Sequence, residues 1–220
     1  MRTYAWRPTI SIPSSIPGVS WTTDWEHSFG TFTSVFGYRT ISYLNQGDFD
    51  GLTIPEPGLN VTRDFDSDAY SAEFRFASDT GTSFDYVAGV YASRDEFEQR
   101  NRVQPSPPVL STSTLQQEAT SLAAFAQADW QFAERWSLAV GGRYTADEKD
   151  YSIDAKVFVN GNFIPPSSFA GELNESWSNF TPRVALQYAP NENVNLYGSV
   201  STGYKGGGFE DDPANPAAAQ

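Results

Sequence analysis

Three carboxylates stand at alternate positions, Asp64, Asp66 and Asp68, and their spacing raises the question of a metal site. Alternate carboxylates can converge on a hard cation, as the first ligands of a calcium-binding loop do. The rest of that pattern is missing, because Ala69 stands where the loop needs a glycine and Arg75 where it needs the closing glutamate. A solvated acidic loop is therefore the favoured interpretation and a loosely bound calcium ion in that loop is the alternative, so no metal site is predicted.

Asp64 and Asp66 lie with other carboxylates in a long predicted loop over residues 45–67, and Asp68 directly follows this loop. Such a loop could gather several carboxylates at the external mouth of a larger structure, although acidic loops also serve solubility. We predict an external acidic loop that contains Asp48, Asp50, Asp64, Asp66 and Asp68.

Groups that could catalyse a reaction are almost absent. The chain has one histidine, His27, and no cysteine, so it can assemble no imidazole triad, thiol nucleophile or ordinary zinc site. The glycine run 206–208 lacks the lysine-serine pair of a phosphate loop, and a glycine turn over a strand end explains it. Its 27 acidic residues exceed 14 basic ones, which repels nucleic acid. The sequence therefore predicts a protein that is not an enzyme, with no catalytic residue, no cofactor and no nucleic-acid partner.

The secondary structure predicted from the sequence consists of β-strands. Aromatic residues make up 15% of the chain, and such large flat side chains suit extended strands and membrane interfaces. Helical periodicity is hard to find, whereas alternation of apolar and polar residues recurs between clusters of Gly, Pro, Asn and Asp. The alternation predicts eight strands, over residues 19–27, 30–44, 68–78, 83–103, 118–132, 136–150, 177–189 and 194–205.

The clearest of these strands, 118–132, has one wholly apolar face that runs from Leu122 to Phe132, with Gln127 and Asp129 on the opposite face. One face is suited to hydrocarbon and the other to water. Several predicted strands exceed the ~9–11 residues that cross a bilayer at a tilt. We therefore predict an all-β fold, the wall of an antiparallel transmembrane β-barrel.

The lengths of the connections agree with a barrel. Tight turns alternate with long segments at 45–67, 104–116 and 151–175, as in outer-membrane barrels, which have short periplasmic turns and long external loops. A soluble β-sandwich also shows alternating strands, but the aromatic residues near the strand ends favour a membrane barrel. A passive porin or small self-contained barrel and a soluble β-sandwich binding module are the alternatives.

Several strand motifs resemble those of TonB-dependent receptors. The segment 196–209, LYGSVSTGYKGGGF, resembles the family strand Y-x-S-x-S-x-G-Y-K-x-G-G-F, and 137–150, SLAVGGRYTADEKD, resembles L-x-x-G-x-R-Y-T-x-E-K. The segment 177–183, WSNFTPR, is similar to the family motif W-x-x-x-T-P-R/K at the start of a strand. Residues 73–91 are similar to the family hairpin E-x-R-x-A-S … W-x-x-G-x-Y/F. The resemblance is collinear over residues 20–210, and it makes Pro182 an expected strand residue.

The resemblance implies an outer-membrane, TonB-dependent active importer for a bulky ligand such as a ferric siderophore, cobalamin or oligosaccharide. Residues 1–220 are then expected to be a partial receptor barrel domain without its plug domain, about eight strands of a larger barrel of the 22-stranded type. The implied location is the bacterial cell outer membrane. The implied partners are outer-membrane lipid, the plug domain of the same full-length protein, a small-molecule ligand, and the TonB complex through a missing N-terminal part.

Four basic residues on the polar faces of the predicted strands are candidates for the lumen: Arg75, Arg143, Arg183 and Lys205. A buried arginine needs an acidic partner. In a plugged barrel these residues are expected to pair with carboxylates of the plug, and the alternative is direct contact with the transported ligand.

Overall fold

The computed structural model describes residues 16–48, 59–106, 108–165 and 169–209. These residues form one antiparallel sheet in which successive long strands are hydrogen-bonded neighbours. The strands are β1 Gly18–His27, β2 Gly30–Asp48, β3 Asn60–Ser78, β4 Phe84–Ser106, β5 Val109–Ala133, β6 Trp136–Val159, β7 Asn162–Phe163, β8 Phe169–Asn191 and β9 Val194–Ser201. Among the described residues, no helix is long and apolar enough to cross a membrane.

The eight predicted strands are confirmed in number, order and direction, and the two-residue β7 adds a short pairing to β6. The four predicted tight turns are confirmed as well, between β1 and β2, β3 and β4, β5 and β6, and β8 and β9. Alternating side chains and short connections therefore suffice to fix the connectivity. Within the described part the sheet does not close, because β1 and β9 each pair with one strand only.

The predicted long connections are wrong in extent. Segment 104–116 is mostly strand, because Ser106 pairs with Val109 at the end of the β4–β5 hairpin. Segment 151–175 belongs mostly to β6 and β8, and 45–67 mostly to β2 and β3. The outer ends of β4 and β5 carry mostly polar residues on both faces, whereas the apolar residues in the outer end of β6, such as Tyr151 and Ile153, lie on the face opposite to that of Trp136. The backbone pairing between neighbours holds all these ends extended.

The two faces of the sheet differ in composition. In the lower half of the long strands, towards the tight turns, one face carries an apolar belt whose large side chains are exposed, such as Trp21 at 69% and Phe180 at 58%. Cross-strand ring contacts run through this belt, including Phe32–Phe76 at 4.7 Å and Trp136–Tyr188 at 4.4 Å between centroids. Such aromatic pairs stabilise neighbouring strands.

The opposite face holds the buried side chains, namely Thr33, Ser113, Leu115, Ala123, Thr145, Tyr151, Ile153 and Ala155. The strand registers place all of these residues on that one face. A sheet without a second layer buries residues on one face only when it curves towards that face. We therefore call this face concave and the face with the apolar belt convex.

Candidate functional site

Arg143 lies on the concave face of β6, between Phe125 of β5 and Thr181 of β8 in the strand registers. Its guanidinium carbon is 5.3 Å from the ring centroid of Tyr91 and 5.9 Å from that of Phe125. Its Nε donates to Thr145 Oγ1 at 3.2 Å. Two aromatic faces and one hydrogen bond therefore fix the orientation of this side chain.

A glycine makes room for this arrangement. Gly89 of β4 lies directly opposite Phe125, and a β-carbon at this position would be 2.6 Å from Cζ of the Phe125 ring. The ring thus lies over the bare backbone, where it also faces the guanidinium of Arg143. The prediction from sequence missed Tyr91 and Phe125, although aromatic residues on an otherwise polar face were a signal.

The other predicted lumen arginines also lie on the concave face by register, Arg75 opposite Thr33 and Arg183 opposite Gly141. The Nη1 atom of Arg75 is 3.3 Å from Oε1 of Glu73, two residues away on the same strand. Arg183 is exposed. The register thus places three of the four basic residues on one face of the sheet, and their position in the lumen stays a prediction.

Lys205 departs from its prediction. It was expected in a strand over 194–205, but β9 ends at Ser201. After Thr202 N donates to Pro182 O at 3.2 Å, the chain leaves the sheet, so no strand register fixes the facing of Lys205. The residue is exposed. The glycine-rich sequence that follows explains the departure, because it adds few side chains to a ladder and allows close approach to the wall.

Residues 202–209, which we call the strap, fold over the concave face of β6 and β8. Lys149 Nζ donates to Gly207 O at 2.5 Å, and a β-carbon on Gly207 would be 2.4 Å from the ring of Trp177. Phe209 packs against the buried residues Leu115, Tyr151 and Ile153. The interpretation of 206–208 as a turn over a strand end missed these contacts, which depend on pairing between distant strands.

The strap covers one side of an open recess of about 400 Å³ on the concave face. Its wall residues include Ser121, Arg143, Thr145 and Asp147, and the strap contributes Tyr204. The buried hydroxyl of Tyr204 lies next to the carboxylate of Asp147. The recess therefore combines one guanidinium, one carboxylate and several hydroxyl groups.

The predicted acidic loop is corrected by the structure. Asp64, Asp66 and Asp68 lie in strand β3, and Asp48 is the last residue of β2; Asp50 lies outside the described residues. The three β3 carboxylates project from the convex face beyond the apolar belt, where Arg100 Nη1 is 3.7 Å from Asp64 and 3.8 Å from Asp66. Strand geometry spreads alternate residues along one face, so they do not converge as loop ligands would.

Across the ranges that the structure describes, no group of three or more histidine, cysteine, aspartate or glutamate residues could hold a metal ion. Several carboxylates of the convex face pair instead with cations on the same strand or on a neighbouring one. Arg94, for example, lies 2.6 Å from Glu96 and 2.7 Å from Glu118. Such exposed pairs contribute little stability each, but they satisfy the charges beside the apolar belt.

The upper part of the concave face is more aromatic than the predicted polar faces. Tyr43, Phe65 and Phe97 stack across β2, β3 and β4, with ring centroids 5.0 and 5.7 Å apart. The register continues this row through Gln117 to Tyr151. The concave face thus combines stacked aromatic rings with the basic residues of its lower part.

Comparisons with known proteins agree with this architecture. A family model described as TonB dependent receptor-like, beta-barrel, matches residues 3–219. Among solved structures, the chain is similar to the ferric yersiniabactin uptake receptor FyuA from Yersinia pestis, with a TM-score of 0.74 and 18% sequence identity. The similarity covers 89% of this chain and 29% of that chain. At this identity the likeness establishes the fold, and the chain spans under a third of the length of that receptor.

Proposed function

Because the chain belongs to the TonB-dependent receptor-like β-barrel family, we propose that it is a wall segment of an outer-membrane active importer. The importer moves a bulky ligand by non-covalent binding and release. The family consists of transporters, so its membership agrees with the expectation that the chain is not an enzyme. The family also resides in the outer membrane of Gram-negative bacteria, and this is the location we propose for the chain.

The observation that carries the proposal is the exposed apolar belt of the convex face. Its large side chains, among them Val140 at 46% and Leu186 at 42% exposure, have no second protein layer in the described part of the chain. A soluble sandwich would bury such a face against another sheet. Outer-membrane lipid is the partner whose chemistry suits this belt, with the aromatic rows at its margin in the interfacial region.

The proposed interior is the concave face. A barrel of the 22-stranded type holds a plug in its lumen, and we propose the plug domain of the same full-length protein as the neighbour of Arg75, Arg143 and Arg183. Lys205 extends this basic set on the strap. The TonB complex is the proposed source of energy, acting through a part of the protein other than this wall. A small molecule is the proposed cargo.

Ferric siderophores are the first ligand class to test, because the barrel fold is shared with a ferric yersiniabactin uptake receptor. Cobalamin and oligosaccharides remain in the proposed ligand range. The stacked aromatic rings of Tyr43, Phe65 and Phe97 suit a planar or apolar part of any of these ligands.

The decisive experiment measures uptake through the full-length receptor in cells that lack their own iron-chelate receptors. Radiolabelled ferric chelates, cobalamin and oligosaccharides are supplied at low concentration, with and without a functional TonB complex. We expect saturable uptake of one ligand class that disappears without TonB. Uptake that persists equally without TonB would identify a passive porin and overturn the proposal.

A further inference from the structure

The Arg143 side chain is held by two aromatic rings and one hydrogen bond, and its terminal nitrogens carry donors that these contacts do not use. The rings of Tyr91 and Phe125 contact its faces, and Thr145 accepts its Nε proton. Among the described residues, no carboxylate forms an ion pair with Arg143, whereas Arg75, Arg94, Arg100 and Lys156 each have an acidic partner. Its two terminal nitrogens therefore remain available in a fixed fork.

The recess beside Arg143 indicates which anion suits this fork. Planar guanidinium groups match carboxylates through two parallel N–H bonds. The recess also contains the carboxylate of Asp147, whose charge disfavours an anion with several negative charges. A group with one negative charge is therefore the better fit.

The hydroxyl groups of the recess are not equivalent. Thr181 Oγ1 donates to the backbone oxygen of Arg143 at 3.2 Å, so its proton is already used. Thr145 Oγ1 accepts from Arg143, which leaves the Thr145 proton available as a third donor next to the fork. Three donors are then available from two neighbouring residues of β6.

We propose that Arg143 binds one carboxylate group in the barrel interior, in a bidentate contact supported by the hydroxyl of Thr145. The carboxylate belongs either to another part of the same polypeptide or to a soluble molecule that enters the lumen. The inference deepens the proposed function and rests on it in one respect, since it takes the concave face to be the barrel interior.

The test uses the full-length receptor in detergent, labelled with ¹³C and ¹⁵N in arginine, with acetate as the soluble probe. A bidentate carboxylate slows rotation about the Cζ–Nε bond, so that the two terminal nitrogens of Arg143 give separate signals. The Arg143→Lys variant assigns these signals by their loss. Arg183→Lys is the matched control, because Arg183 lies on the same face without aromatic neighbours in the described part of the chain.

Separate terminal-nitrogen signals without acetate support a carboxylate from the polypeptide itself, and signals that separate only on acetate titration support a soluble carboxylate. In either case Thr145→Val should weaken the contact about tenfold, the effect of one hydrogen bond to a charged group. This variant keeps Arg143 and so gives a result even if Arg143→Lys misfolds. Averaged signals that acetate leaves unchanged would overturn the inference, whatever the uptake experiment shows about TonB.

Discussion

At the scale of single residues, several glycines of the sheet are covered by aromatic rings from a neighbouring residue or strand. Gly142 of β6 faces Pro182 of β8 in the register, and the ring of Phe180 lies over it, 2.5 Å from where a β-carbon would be. In the same way, the ring of Phe125 lies over Gly89 and the ring of Trp177 lies over Gly207. An aromatic ring that covers a bare backbone gains contact area and fixes the strand register. The sequence shows the glycines and the aromatic residues, but only the register shows that they meet.

We predict that Gly142→Val destabilises the full-length receptor by about 1–3 kcal/mol, the usual cost of overpacking. The added side chain would displace the Phe180 ring, and the measurement is urea unfolding in detergent followed by tryptophan fluorescence. Gly198→Val is the control, because a β-carbon at Gly198 meets nothing within 4 Å. Equal unfolding midpoints for the two variants would show that the ring contact contributes nothing.

Adjacent residues of one strand also have different surroundings. Ala126 lies on the convex face of β5, opposite Ala88 and Gly142, whereas Gln127 lies on the concave face opposite Gly141. Ala126→Arg is expected to cost roughly 2–4 kcal/mol in the full-length receptor, the penalty for a cation facing lipid at mid-bilayer. Gln127→Arg is expected to cost much less. Reversible unfolding in lipid vesicles measures both, and equal penalties would contradict the assignment of the two faces.

At the scale of the elements, alternation in the sequence predicts the strands only where one face is apolar. It places the starts of β6 and β9 at Trp136 and Val194 as observed, since tight turns and belt residues mark these positions. It misses the outer ends of β3, β5 and β6, which extend beyond the predicted bounds. In β3 and β5 these ends are mostly polar on both faces, and in β6 the apolar residues Tyr151, Ile153 and Ala155 lie on the concave face instead of the convex one. There the extended form depends on partners far away in the sequence. The candidate site was predicted only in part for the same reason, because Arg143 could be placed on a face but its ring neighbours could not.

The outer strand ends lead to a prediction about proteolysis. Strand β5 has 25 residues and spans roughly 80 Å at about 3.3 Å per residue, far more than the ~30 Å of hydrocarbon. Arg100, Arg102 and Lys156 lie in the strand ends expected beyond the membrane. Because paired strands do not fit a protease cleft, trypsin is expected to spare these sites on intact cells.

Mass spectrometry of the released peptides tests this expectation. Heat-denatured receptor, in which trypsin should cleave at all three residues, is the control. Rapid cleavage at Lys156 in the native receptor would mean that this segment is an open loop, as the sequence alone suggested. Rapid cleavage at Arg100 would contradict the strand that both the sequence and the structure give there.

At the scale of the whole molecule, the connections at the two ends of the strands are expected on opposite sides of the membrane. We predict that single cysteines at Pro108 and Asn162 react with a membrane-impermeant maleimide on intact cells. Cysteines at Thr80 and Glu134, in the tight turns, should react only after the outer membrane is opened. The chain has no cysteine of its own, so this part of the receptor gives no background. A reversed pattern would invert the proposed orientation.

The strictly sequential pairing of the strands has an evolutionary consequence. In the described part of the chain, each long strand between β1 and β9 bonds to the long strands before and after it. Each hairpin is therefore a module whose pairing involves only adjacent modules. Duplicating or deleting one hairpin in a gene would leave every other pairing intact and would preserve the even strand number of such barrels. The circumference of the pore can thus change by two strands in a single genetic event, without invention of a new fold.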